Sequence, residues 1–181
     1  MIEPPSAALV AAHADRISEV LGHEPRRWLL VESQRQIVSL VEDGIAVGTW
    51  LCSTAAAGID GREGSGGTPP GLHRIAARIG DGATPGTVFD SREPTGEVWN
   101  VDHPVDDRDL ILTRILTLEG LEEGVNRGPG VDSLARYIYL HGTNHEDGVG
   151  APGSHGCIRL RNDDIADLFA RVAEGDPVVV A

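Results

Sequence analysis

Hydrophobic spacing changes character near residue 27. Before it, Leu9, His13, Ile17, Val20 and Leu21 fall near helical spacing, with Ser6 ahead as a cap and Gly22 behind. This predicts one amphipathic helix over Ala7–Leu21, with His13 on its apolar side or edge as a packing residue. After it the runs are short and β-prone: WLLV from Trp28, QIVSLV from Gln36 and IAVGTWLCS from Ile45. Glu42-Asp43-Gly44 between two of them is a hairpin signal. Residues 56–71 are Gly-rich, with Thr68-Pro69-Pro70 inside, and read as a loop. LHRIAARIG from Leu72 resumes strand order, and Asp81 to Gly86 is turn-like. EVWNVD from Glu97 and LILTRILTL from Leu110 are predicted strands, split by the acidic DHPVDDRD. A polar loop, EGLEEGVNRGPGVDS, leads to RYIYLHG from Arg136. Near the end, Asn162 is a cap candidate for a helix with Ile165, Leu168, Phe169 and Val172 on one stripe, stopped by Gly175. The closing VVV reads as a buried strand. Many short strands and two helices predict a mainly β chain with minor α. The architecture expected is a sandwich or barrel-like fold with a C-terminal helix packed on it and an N-terminal helix.

Composition narrows the chemistry. At 181 residues one domain is the default. The formal net charge of −13 disfavours nucleic acid and anionic membranes as partners. All 15 basic residues are arginine. The lack of lysine removes Schiff-base chemistry, the P-loop lysine and Ser-x-x-Lys acyl transfer. No run approaches the ~18 apolar residues of a membrane span. Met1 to Leu21 has neither a basic n-region nor an apolar h-region. The expected location is therefore cytoplasmic if the chain is complete, and periplasmic or wall-associated if a signal segment has been removed. Cys52, in an apolar run, reads as a small buried hydrophobe rather than half of a disulfide.

Candidate chemistry gathers between Arg136 and Leu160, RYIYLHGTNHEDGVGAPGSHGCIRL. Tyr137, Tyr139 and His141 alternate with Ile138 and Leu140, which puts the two tyrosines and the histidine on one face of a strand that Gly142 ends. Cys157 returns 16 positions after His141, between Gly156 and Ile158. A thiol at neutral pH is mostly protonated; a neighbouring imidazole raises the thiolate fraction and shuttles the proton. His155, two residues from Cys157 in an extended segment, can share its face, so the spacing alone leaves both histidines open as the base. His145 reads as a solvated loop residue. A zinc site from His141, His145, His155 and Cys157 matches no compact zinc spacing, and no metal or cofactor is expected.

HGTNHEDGVGAPGSHGCIRL resembles the active-site signature of the L,D-transpeptidase (YkuD) family. His141-Gly142-Thr143 opens it, and Ser154-His155-Gly156-Cys157-Ile158-Arg159 closes it. GGTPPGLHRI, RLRNDDIADLF and GDPVVV are also similar to family segments. The resemblance runs from roughly Trp28 to the end, leaving residues 1–25 as an N-terminal helical extension and 26–181 as the catalytic domain. It implies a β-sandwich fold, Cys157 as nucleophile and His141 as base, oriented by the Gly142 carbonyl. Gly156, Ser154 and His155 are then expected to form or support the oxyanion loop. Arg159, Tyr139 and Thr143 are the candidates for substrate contact, Arg159 as a carboxylate-holding guanidinium. The implied partner is a peptidoglycan stem tetrapeptide whose terminal D-alanine is displaced. Water as acceptor makes an L,D-carboxypeptidase, the role expected of a cytosolic recycling enzyme; an amine acceptor makes a cross-linking L,D-transpeptidase. An inactive stem-peptide-binding module is the reading from another class. The sequence sets no oligomeric state.

Overall fold

The computed structural model describes residues 2–102 and 108–181, so most of the acidic DHPVDDRD segment, 103–107, lies outside the described residues. Helix α1 spans Ala7–Leu21, with the Ser6 hydroxyl accepting from the Leu9 N–H and Gly22 closing it in the left-handed region. Strands β1 (Arg27–Glu32), β2 (Ile37–Glu42) and β3 (Ile45–Leu51) follow as the apolar runs predict. Asp43 and Gly44 both take positive φ at the β2–β3 turn, the requirement of a tight hairpin whose twist matches its strands.

Then come β4 (Gly71–Ile79), β5 (Thr87–Asp90), β6 (Glu93–Val98) and β7 (Ile111–Gly120). Here the periodicity misleads. Of the strand expected at EVWNVD only Glu97 and Val98 are strand, as the end of β6, which starts at Glu93 and pairs back on β5 as the exposed second strand of a hairpin. An exposed strand has no buried face, so it leaves no apolar alternation to read. Strands β8 (Tyr139–Gly142), β9 (Ile158–Leu160) and β10 (Pro177–Val180) complete the sheet, with helix α2 over Asn162–Arg171. The N-cap of α2 is Arg161, so Asn162 is its first residue and leaves its side chain for other work.

The strands form one sheet in the order β3-β2-β1-β10-β4-β7-β5-β6, with β8 branching from β7 and carrying β9. The path does not close into a barrel. It folds over a main core in which Leu29, Val31, Leu40 and Val180 meet Leu116, Leu140, Ile158 and Leu160. The α2 stripe of Ile165, Leu168, Phe169 and Val172 seals this core, and Cys52 lies buried within it as a free thiol. Alternate residues of β1, Trp28 and Leu30, point the other way. There Val10 and Ile17 of α1 cover them together with Val41, Leu72 and Val179. With both faces covered, β1 reads as a continuous apolar run.

Two histidines are buried as neutral rings. His73 on β4 places Nδ1 3.1 Å from the Gly71 carbonyl and Nε2 2.9 Å from the Ser133 hydroxyl. Burial lowers its pKa to about 4, and burial lowers that of His141 on β8 to about 4 as well. Unfolded, each binds a proton near the ordinary 6.5; folded, only near 4. The unfolded state therefore holds more protons in this window. The stability these groups confer is complete above pH 6.5 and is lost as pH falls towards 4. Calorimetry at fixed ionic strength should show Tm falling between pH 7 and pH 5, less steeply for His73→Gln. A Tm level across that interval in both proteins would contradict the buried neutral rings.

Candidate active site

Three rungs of parallel pairing join β8 to β9: Leu140 to Ile158, His141 to Arg159 and Gly142 to Leu160. Side chains alternate along each strand, so Leu140, Ile158 and Leu160 enter the core while His141 and Arg159 share the opposite face. Cys157, one residue before the first rung, packs beside Tyr139, Phe89 and Ile115. His141, Cys157, Arg159, Ser154, His155, Asp109 and Ile111 line one cavity of about 140 Å³.

His141 is 3% exposed, and its Nδ1 lies 2.7 Å from the Gly142 carbonyl. A carbonyl only accepts, so Nδ1 carries the proton and Nε2 is the bare nitrogen. Burial sets the low pKa of this ring, opposed by the Gly142 hydrogen bond and the Asp109 charge. Burial also pushes the Cys157 thiol up to about 11, against a backbone N–H of Tyr139 and the charges of Arg159 and Arg136. The thiol donates to the Tyr137 carbonyl at 3.3 Å. The expectation of a thiolate raised by its neighbouring imidazole is thus not met in the resting site. Desolvation penalises both charges, and the pair rests as thiol and neutral imidazole.

The loop around Cys157 is held from three sides. The Ser154 hydroxyl donates to the Cys157 carbonyl and accepts from the Gly156 N–H at 3.2 Å. The Thr68 hydroxyl donates to the Gly156 carbonyl at 2.9 Å, which gives the Thr-Pro-Pro segment a structural tie to the loop. Gly156 has φ +136, and a Cβ there would lie 3.1 Å from Ile138 and 3.4 Å from the Gly67 carbonyl. Gly142 is just as constrained: a Cβ would stand 2.3 Å from Asn162 Oδ1 and 2.8 Å from the Leu112 carbonyl.

The other expected site residues divide. His155 reaches the cavity, but its side chain is 86% exposed, with Nδ1 3.3 Å from Asp109 Oδ2. Arg159, 8% exposed, donates to the same carboxylate oxygen, so its guanidinium already meets an anion of this chain. Tyr139 is buried, and its hydroxyl accepts from Arg92 Nε at 3.0 Å. Tyr137 leaves the expected strand face: it precedes β8, has φ +58 and is 54% exposed. Thr143 is buried, accepting from the His145 N–H at 3.1 Å, and His145 itself faces solvent. Among the described residues no three His, Cys, Asp or Glu side chains assemble as metal ligands.

A family model for the L,D-transpeptidase catalytic domain (YkuD) matches residues 26–180. The chain belongs to this family. Probable L,D-transpeptidase YbiS of Escherichia coli (strain K12) is 49% identical over 45 residues, 25% of this chain and 15% of that protein. Putative L,D-transpeptidase YqjB of Bacillus subtilis (strain 168) is 44% identical over 45 residues, 25% of this chain and 26% of that protein. These alignments therefore span at most about a quarter of either relative. L,D-transpeptidase 3 from Mycobacterium tuberculosis, solved with a faropenem-derived adduct, superposes with a TM-score of 0.54 at 18% identity. That match covers 87% of this chain and 60% of the solved one. The L,D-transpeptidase from Xylanimonas cellulosilytica gives a TM-score of 0.52 at 17% identity, covering 92% and 68%. At these identities the likeness concerns the fold.

Two residues of this L,D-transpeptidase domain escaped the sequence reading. Asp109 stood at the end of an acidic run with no periodicity to single it out. Asn162 read as a helix cap, yet its amide donates to the Thr143 carbonyl at 2.9 Å and to Glu146 at 2.8 Å, and its Oδ1 accepts from Thr113 at 2.6 Å. Thr113 is buried with φ +70, where the β7 register shifts between Leu112 and Ile115. That strained position aims its hydroxyl at the amide packed on Gly142.

The resting thiol sets one measurable property. Alkylation of Cys157 by iodoacetamide should be slow near neutral pH and climb towards about pH 11, without a reactive plateau below pH 8. Cys52, buried and pushed up to about 12, should stay unmodified in the folded protein. A Cys157 titration midpoint at or below the free-cysteine value of ~8.5 would show an ion pair instead.

Proposed function

We propose that this chain is a cysteine acyltransferase that releases the terminal D-alanine from peptidoglycan stem tetrapeptides. The observation that carries the reading is the placement of Cys157 and His141 on adjacent parallel strands, opening on one cavity in a chain of the L,D-transpeptidase family. Sγ attacks the carbonyl before the terminal residue, and the thiol proton passes to His141 Nε2. A base must be unprotonated to accept, and a pKa of about 4 keeps this one so at neutral pH. As charge builds, Asp109 favours the imidazolium. The Gly156 N–H is engaged by Ser154, so we assign the oxyanion to the N–H of Cys157. His141 then protonates the leaving amine, D-alanine departs, and a thioester remains on Cys157.

Water is the acceptor we put first, making the chain an L,D-carboxypeptidase. The cavity of about 140 Å³ equals about five waters at ~30 Å³ each, which suits a small nucleophile better than a second stem peptide. His141 activates the water, and hydrolysis returns thiol and tripeptide. An amine acceptor on the same thioester would instead yield a cross-link.

Mass spectrometry of a stem tetrapeptide incubated with the protein, with and without an amine acceptor, separates these outcomes. Tripeptide should dominate; a cross-linked product as the main species would reverse the choice of acceptor. Cys157→Ala should abolish turnover while leaving the fold intact, and His141→Ala should cost ~10²–10⁴-fold. Residual turnover of Cys157→Ala above background would remove Cys157 as nucleophile.

Imipenem should add one drug mass to the intact protein at Cys157 and none to Cys157→Ala. The motivation is the family match, with an L,D-transpeptidase solved in complex with imipenem among its structural neighbours. An unchanged mass after long incubation with turnover-competent protein would contradict the reading of the cavity.

A further inference from the structure

Acidic residues outnumber arginines by 28 to 15, and most arginines pair with a carboxylate. Among the described residues Arg78, Arg92, Arg114, Arg136 and Arg161 have none within salt-bridge distance, and of these Arg92 and Arg136 lie beside Tyr137, whose carbonyl accepts from the Cys157 thiol. Arg136 spends its donors on three carbonyls: Asp60 at 3.3 Å, Gly61 at 2.8 Å and Gly67 at 2.8 Å. It ties the 60–67 loop against Gly156 and adds positive charge there.

Arg92 is differently placed. It sits in the tight turn between β5 and β6, and its Nε donates to the Tyr139 hydroxyl at 3.0 Å. Its Cζ lies 5.1 Å from the Tyr137 ring centre and 5.7 Å from that of Tyr139. The two rings meet edge to face at 6.3 Å. The guanidinium is thus oriented by a hydrogen bond and two aromatic faces. Nη2 makes only a long contact of 3.4 Å to the Leu134 carbonyl, and Nη1 has no partner among the described residues. Two terminal nitrogens of a fixed fork match the two oxygens of a carboxylate.

The fork is close to the chemistry. The carbonyl of Tyr137 takes the Cys157 thiol proton bond, and Tyr139 packs against Cys157. The Tyr139 ring separates guanidinium from thiol; its centre alone is 5.7 Å from Cζ, so a peptide crosses the gap in about two residues at ~3.8 Å per Cα step. In the cavity lining itself, Arg159 is already paired with Asp109. A chain of net charge −13 repels anions in general, so an anionic substrate needs a local cation.

We propose that Arg92, seated on Tyr137 and Tyr139, binds a carboxylate of the peptide substrate located about two residues from the scissile carbonyl. This rests on the acyl-transfer reading above. Arg92 takes no part in bond making; it selects substrate and fixes its register.

The test is titration calorimetry with Cys157→Ala, which binds without turnover. Its ligands are a stem tetrapeptide, the same peptide with its terminal carboxylate amidated, and one with its side-chain carboxylates amidated. One amidation should weaken binding about tenfold or more, and that one identifies the carboxylate. Adding Arg92→Gln should weaken the parent peptide by a similar factor and erase the difference between it and the amide; Arg92→Lys should restore part. Thermal melts should leave both variants folded, since the turn is at the surface. Discrimination that survives Arg92→Gln, or a parent peptide that does not bind Cys157→Ala, overturns the proposal. Binding that depends on Arg92 in a wild-type protein that never cleaves the peptide would overturn the acyl-transfer reading alone.

Discussion

The site depends on three rungs of parallel pairing between β8 and β9. They pair β9 with the sheet, beside a single antiparallel bridge from Ser53 to Arg159, and they bring together residues separated by a long glycine-rich loop. The rungs work because the core face of both strands is apolar. Leu140, Ile158 and Leu160 are fully buried, so a one-residue slip would turn them outwards and drive His141 and Arg159 into the core. The hydrophobic register therefore sets the chemical register. Everything that reaches the cavity does so because its neighbours point inwards.

Burial has a second consequence. The same packing that fixes Cys157 and His141 buries the imidazole and half-buries the thiol, and burial is the largest influence on both pKa values. The site rests uncharged, with its imidazole tautomer set by the Gly142 carbonyl. In the proposed acyl transfer, charge separation is thereby left to the moment when a substrate supplies an oxyanion to be stabilised. Ser154, Thr68 and Asn162 hold the backbone of Gly156 and Gly142 where no side chain fits.

Charge is distributed to match. The negative surface is threaded by arginine–carboxylate pairs such as Arg27–Asp176 at 2.6 Å and Arg74–Glu119 at 2.7 Å. The more exposed pairs, such as Arg26–Asp43, contribute little stability, on the order of 0–1 kcal/mol. Their effect is to neutralise arginine elsewhere, which leaves the cations beside Tyr137 as the local positive feature near Cys157. Arg159 shows the contrast: largely buried, it is matched by Asp109 from across the cavity.

Much of this protein was legible in its sequence. Helix α1 over Ala7–Leu21, the three strands after it, the Asp43-Gly44 turn and the α2 stripe follow from local periodicity and turn chemistry, because each buries one regular face. The Ser154-to-Arg159 motif and His141-Gly142-Thr143 pointed to the family that the match over residues 26–180 confirms. Tertiary structure alone decided the rest. The exposed β6 hairpin carries no apolar pattern, so periodicity missed it. Which histidine is buried, and which stands in solvent beside Asp109, depends on cover from other elements. Asp109 meets Arg159 across 50 positions, and Arg92 meets Tyr139 across 47. Periodicity reports which face of a segment is apolar; it carries no record of which polar groups from distant segments share a desolvated cavity, and that sharing sets the charge state and the selectivity of the site.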